Sequence, residues 1–208
     1  IRLKIMKDIN EKKQYPGERM YSLAQKLFPL NRSIMGPDYK SNLKFFIKLN
    51  PEFKIIKFKT GEKVFDWEVP EEWSIKNSYI EHESGKRFAE FKKNNLHLVG
   101  YSCAVNKVIS KKELLSHIHT IPENPDAIPY VTSYYKRNWG FCLPHKTLID
   151  LPEGKYKVFI DSEHKHGELW LIEACIPGKL KDEIFFSTYL CHPSMANNEL
   201  SGPVLLNE

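Results

Sequence analysis

The sequence predicts a mixed α/β fold in which two α/β stretches, residues 1–60 and 151–208, flank a β-rich middle, residues 61–150. Three observations predict it. Apolar residues recur at three- and four-residue steps up to about residue 50, the period changes to two from Ile56 onward, and the run 184–191 is apolar on both faces. The first pattern is that of amphipathic helices, the second of half-buried strands and the third of a central strand covered on each side.

Each element has its own local signal. Met20, Leu23, Ala24, Leu27 and Phe28 form one apolar stripe, and Pro29 stops it. A second helix starts near Asp38, with Leu43, Phe46 and Ile47 on one face and Asn50-Pro51 as terminator. Between them lies the polar, breaker-rich loop 31–37. Ile56 and Phe58 then alternate with Lys57 and Lys59, and Phe65, Trp67 and Val69 alternate with Asp66 and Glu68. Short strands are expected at 78–80, 96–101 and 130–134, and a short helix at 111–119 behind Ser110, which suits an N-cap. Tyr156, Val158 and Ile160 predict a strand, 161–167 a turn and 169–175 a return strand, together a β-hairpin.

Composition narrows the function. With 208 residues, 41% hydrophobic, 27% charged and 12% aromatic, the chain has too many core formers to be disordered. No stretch approaches the roughly 18 consecutive apolar residues of a membrane span, and the first ten residues lack a secretory h-region. The net charge of +5 is a small excess of 31 basic over 26 acidic side chains, spread along the chain. Without a basic helix, an RNA-binding glycine motif or zinc-finger spacing, nucleic acid is not an expected partner, and neither is a membrane. Cys103, Cys142, Cys175 and Cys191 stand singly, which indicates neither a disulfide framework nor a zinc knuckle and points to a reducing cytoplasm. A homo-oligomer is left open.

The chemistry gathers at the end of the run 184–191. Ligands of open α/β sheets collect beyond the carboxyl ends of central strands. His192 falls there, and a carboxylate, Glu199, follows seven residues on in a Gly-containing loop that opens a helix. That is half of a zinc site in residue types and spacing. On residue types alone, His192 reads equally as a strand-end side chain that satisfies a carbonyl, with Asn197-Asn198 as a turn.

Other candidates have structural readings. His164 and His166 read as a solvated loop, and His117 and His119 as capping or core residues. Trp67, Trp73, Tyr134, Tyr135 and Trp139 offer a stacking surface for sugar or peptide, against core packing of a small β unit. Asp66 reads as a strand-surface charge. No Gly-x-Ser-x-Gly elbow is present, because Leu200-Ser201-Gly202 lacks the preceding glycine.

The segment 187–203, Ser-Thr-Tyr-Leu-Cys-His-Pro-Ser-Met-Ala-Asn-Asn-Glu-Leu-Ser-Gly-Pro, resembles the signature of bacterial aminopeptidase-like proteins of the DUF4910 family, related to the M28 zinc exopeptidases. The resemblance extends through 20–24, 28–33, 64–70, 95–97, 132–135 and 139–142. It implies a zinc-exopeptidase-like sheet with flanking helices, interrupted by a small β-rich domain, DUF2172, inserted at about 61–150. It further implies a zinc-dependent aminopeptidase-like hydrolase, holding one or two zinc ions and cleaving a small peptide or amide substrate with a metal-activated water. The alternative is a non-catalytic binding protein of the same fold, linked to surface-polysaccharide biosynthesis. In the M28 pattern the strand-end histidine binds one metal, which His192 matches. An aspartate four positions before the Ser-Gly glycine bridges two metals, and that position is Asn198, followed by the anionic Glu199. Either Glu199 takes the bridging role through a local backbone shift, or the site is weaker than in true peptidases. The general base and further ligands are implied beyond residue 208.

Overall fold

The computed structural model describes residues 15–208. Residues 1–14, which include the ten that show no leader pattern and the expected start of the first α/β stretch, lie outside the described residues.

Helix α1 (Pro16–Leu27) opens on a proline, whose missing N–H costs nothing in the first turn. The Tyr15 amide, just before it, donates to Glu18 Oε2 at 3.2 Å. The helix ends where Pro29 forbids continuation. Helix α2 (Pro37–Leu49) also opens on proline and ends at Asn50. Leu27 from α1 and Tyr39, Leu43 and Phe46 from α2 are buried in one apolar cluster, as the helical period requires. The connecting loop docks on the β-rich part: Trp73 donates its amide to the Met35 carbonyl at 3.2 Å. Gly36 makes this approach possible, because a Cβ there would lie 2.5 Å from the Trp73 carbonyl oxygen.

The strands and remaining helices follow as β1 (Lys54–Lys59), β2 (Lys63–Val64), β3 (Trp67–Glu68), β4 (Glu72–His82), β5 (Arg87–Phe88) and β6 (Val105–Ser110). After them come α3 (Lys111–Leu115), β7 (Ile118–His119), β8 (Phe141–Cys142), α4 (His145–Ile149), β9 (Lys155–Lys165), β10 (Glu168–Glu173) and α5 (Ser201–Asn207). The main sheet has the order β5-β4-β9-β6 with antiparallel pairs throughout, its long strands joined from Glu72↔Lys165 to His82↔Tyr156. Trp73, Ile80, Tyr156, Val158 and Ile160 of this sheet build a second apolar cluster with Phe88, Leu114 and Phe141. Strand β1 pairs with β10 in a separate two-stranded sheet. Ser110 caps α3 as the sequence predicts, its hydroxyl accepting the Glu113 amide at 3.2 Å.

Several expectations are corrected. The hairpin of 156–160 with 169–175 does not form: β9 pairs with β4 and β6, and β10 with β1. Alternation marks both segments as strands and does not say which neighbours each takes. The expected edge at 150/151 therefore falls within a single sheet, because β9 lies between β4 and β6. The alternating stretch 65–69 is broken by a turn in which Phe65 takes a positive φ of 57°, leaving the two-residue pair β2–β3. Residues 96–101 and 130–134 contribute only the isolated bridges Leu98↔Phe141 and Gly100↔Thr132. The short helix stops at Leu115, and Ile118–His119 becomes β7, parallel to β8.

The largest correction concerns 184–191, which forms no strand. Ile184, Phe185, Phe186 and Tyr189 are exposed, and only Leu190 reaches a core, the cluster of α1 and α2. A strand apolar on both faces needs a hydrogen-bonding neighbour on each side and a layer on each face. Among the described residues no strand pairs with it.

Candidate metal centre

Leu190 anchors the end of this extended segment, and Cys191 and His192 follow it onto the start of α5. Residues Ala196–Leu200 form a single π-helical turn directly before α5. A π turn holds one residue more than an α turn, so it shifts which side chains face inward. Here Glu199 is fully buried and Asn198 is exposed. Gly202 admits the extended segment against this turn, since a Cβ there would lie 2.2 Å from Thr188 Oγ1.

The buried carboxylate is partnered on both oxygens. The Cys191 amide donates to Glu199 Oε2 at 2.8 Å, and His192 Nδ1 is in contact with Oε1. Cys191 Sγ lies 3.9 Å from the same Oε1. Burial, followed by the nearby Glu199 charge, pushes the Cys191 thiol up to about 12, so it is a neutral donor at physiological pH. Donor atoms of Cys191, His192 and Glu199 lie within 4.8 Å of one another. The sequence-predicted pair His192 and Glu199 is thus brought together, and Asn198 is exposed.

Two residues the sequence reading passed over complete the setting. Arg32 is 1% exposed and donates Nε to the His192 carbonyl at 2.9 Å and Nη1 to the Leu27 carbonyl at 2.8 Å. Burial lowers its guanidinium to about 10, partly offset by Glu199, and it stays a cation at neutral pH. Tyr130 sets its ring edge-on to His192 with centroids 5.0 Å apart, and its hydroxyl bonds that of Tyr134 at 2.9 Å. The adjacency of Cys191 to His192 was a signal for the third donor. Nothing local ties Arg32 or Tyr130 to the site, because His192, the site residue each touches, is remote in the chain.

The donor set fits zinc in kind. Imidazole, carboxylate and thiolate are its usual ligands, and three protein ligands with an open fourth position is the pattern of catalytic zinc. A carboxylate with no exposure, held near a histidine and a cysteine, also has the chemistry of a ligand whose charge a cation would balance.

The other candidates go elsewhere. His164 Nε2 bonds the Tyr101 carbonyl at 3.2 Å, and His166 is exposed. His117 stacks on Trp139 and its Nδ1 bonds the Trp139 carbonyl at 3.1 Å. Trp73 is buried and Trp139 packs on the main core, whereas Tyr135 is exposed and its hydroxyl accepts the Trp67 Nε1 hydrogen at 3.2 Å. Asp66 is exposed in the β2–β3 turn. No helix among the described residues is long and apolar enough to cross a membrane.

Comparison with known proteins shows what the chain as a whole is similar to. The chain is 44% identical over 204 residues to a Clostridium acetobutylicum protein named "Putative polysaccharide biosynthesis protein with aminopeptidase-like domain", covering 97% of this chain and 47% of that one. A crystal structure from Clostridium acetobutylicum, described as a "putative peptidase", superposes with a TM-score of 0.88 at 45% identity over 92% of this chain and 45% of its own. The chain thus spans about half the length of the relatives it matches. From the first residue of β4 to within β9, residues 72–163 match the family model described as a domain of unknown function, DUF2172.

Proposed function

We propose that this chain supplies part of the zinc centre of an aminopeptidase-like hydrolase, of the DUF4910 kind related to M28 exopeptidases, acting on a small peptide or amide substrate in the cytoplasm. The observation that carries the reading is the convergence of His192 Nδ1 and the fully buried Glu199 carboxylate, with Cys191 beside them. His192 and Glu199 would be ligands, and Cys191 would join them on losing its proton. Bound zinc would supply a water of lowered pKa and polarise the scissile carbonyl. The chain's own part is positional: Arg32 holds the His192 backbone, the Cys191 amide fixes one Glu199 oxygen and Tyr130 limits the swing of the imidazole. On this reading the DUF2172 region is a β-rich insertion between β1 and β10, and the β1–β10 pair belongs to a zinc-exopeptidase-like sheet. The test is zinc-dependent hydrolysis of aminoacyl amides by the whole protein, which Glu199→Gln should abolish.

A second reading is a peptidase-fold binding protein in surface-polysaccharide biosynthesis. It is favoured by the neutral, exposed Asn198 at the position where the M28 pattern has a bridging aspartate, and by the name of the Clostridium relative. A whole protein inert toward aminoacyl amides with added zinc, in both parent and Asn198→Asp forms, would favour this second reading.

A further inference from the structure

We propose that the DUF2172 region, residues 72–163, sets the aim of His192, with Asn95 as the positioning residue through which it acts. Ser194, two residues after His192, takes a left-handed φ of 52°, which a residue with a Cβ keeps only when its surroundings hold it there. Its hydroxyl donates to Asn95 Oδ1, a bond that spans 99 positions of chain. Ser194 lies outside the family match and Asn95 inside it, so the bend after the candidate ligand is held from the β-rich part.

Asn95 is itself fixed. It opens a single 3₁₀ turn, Asn95–His97, in which the Asn94 side chain accepts the Leu96 amide at 2.9 Å. His97 Nδ1 bonds the carbonyl of the buried Cys142 at 2.8 Å, and Leu98 bridges to Phe141 in the main core. The link from Ser194 back to His192 is stiff. Pro193 has a locked φ and confines the residue before it to extended conformations. The His192 carbonyl is also tied to Arg32 at 2.9 Å, so few free torsions remain between the held Ser194 and the imidazole. Ser194 lies between the two candidate ligands in the chain, and its release to a negative φ would turn His192 relative to Glu199 and to the Tyr130 ring. The competing account is a bond that merely docks the loop, which would cost stability and leave metal affinity alone. As a statement about metal affinity the inference rests on the zinc-centre reading. As a statement about the direction of His192 it does not.

The test compares the parent with Asn95→Ala and Ser194→Ala by two readouts. In the 208-residue protein the ring protons of His192 and Tyr130, with centroids 5.0 Å apart, should give a nuclear Overhauser cross-peak that either variant weakens. In the whole protein either variant should lower zinc affinity by roughly 10–100-fold, the loss typical of an outer-shell partner. Because both remove one bond, the double variant should lose no more than the larger single loss. Should Asn95→Ala not fold, Ser194→Ala removes the same bond from outside the DUF2172 region. An undiminished cross-peak, parental zinc affinity in the variants or additive losses would overturn the proposal and leave the bond a docking contact. Zinc binding by the parent that both variants match defeats this inference and spares the zinc centre. A parent that binds no zinc defeats the centre and leaves the cross-peak to decide what aims His192.

Discussion

Thr60 and Gly167 clasp each other across 107 positions of chain: the Thr60 amide donates to the Gly167 carbonyl at 3.0 Å, and the Gly167 amide donates to the Thr60 hydroxyl at 3.0 Å. The adjacent residues Lys59 and Glu168 are the last pair of β1 and β10. The main sheet therefore leaves and rejoins the helical part at one point.

This closure predicts that residues 61–166 are removable. Replacing them with a short Gly/Ser linker should preserve the β1–β10 pair, since its register is set by its own six residue pairs and it packs on α2, although the Glu72 contacts to Lys40 and the Glu168 amide would be lost. Amide exchange would show it, with protection retained at 54–59 and 168–173. Loss of protection there would mean that the main sheet holds the pair together.

Gly167 should not tolerate a side chain. A Cβ there would lie 2.3 Å from Glu72 Cδ, and Glu72 is buried, paired with Lys40 and bonded to the Glu168 amide at 3.0 Å, so it has nowhere to move. Gly167→Ala should cost about 1–3 kcal/mol in urea unfolding. Gly178→Ala, with nothing within 4 Å of the new atom, should stay within about 0.5 kcal/mol.

Cys142 should make stability fall at alkaline pH. Burial pushes its thiol up to about 12 from an ordinary 9.0, so above pH 9 the unfolded state loses a proton that the native state keeps. Stability from this group is full below pH 9 and declines toward pH 12, by at most about 1.4 kcal/mol per pH unit. The decline should be steeper in the parent than in Cys142→Ala. Alkylation at pH 8 should modify the exposed Cys175 well before Cys142.

The helices were legible because their signals are local: the stripe of Met20, Leu23, Ala24 and Leu27, the stop at Pro29 and the cap at Ser110 all act within a few residues. Strand partners were not. The alternation of Tyr156, Val158 and Ile160 is the same whether β9 folds back on β10 or lies between β4 and β6, and only burial against Trp73 and Phe141 decides it. The run 184–191 misled for a related reason, since its pattern states what a strand would bury and supplies no neighbour to bury it. His192 and Glu199 could be read because seven residues separate them. The turn that aims Glu199 inward and Asn198 outward was open, and the one-residue offset of the π-helical turn decides it. Arg32 lies 160 positions from the His192 carbonyl it holds, beyond the reach of any local pattern.

Zinc affinity of the whole protein as parent, and of its His192→Ala, Glu199→Gln and Asn198→Asp variants, measured by competition with a chromophoric chelator, tests the metal centre most directly. The expected result is saturable zinc binding by the parent. His192→Ala and Glu199→Gln should each weaken it by more than the roughly 10–100-fold that loss of an outer-shell partner costs. Asn198→Asp, altering an exposed side chain, should change little. Absent binding by the parent, or unchanged affinity in both His192→Ala and Glu199→Gln, would contradict a zinc centre at His192 and Glu199.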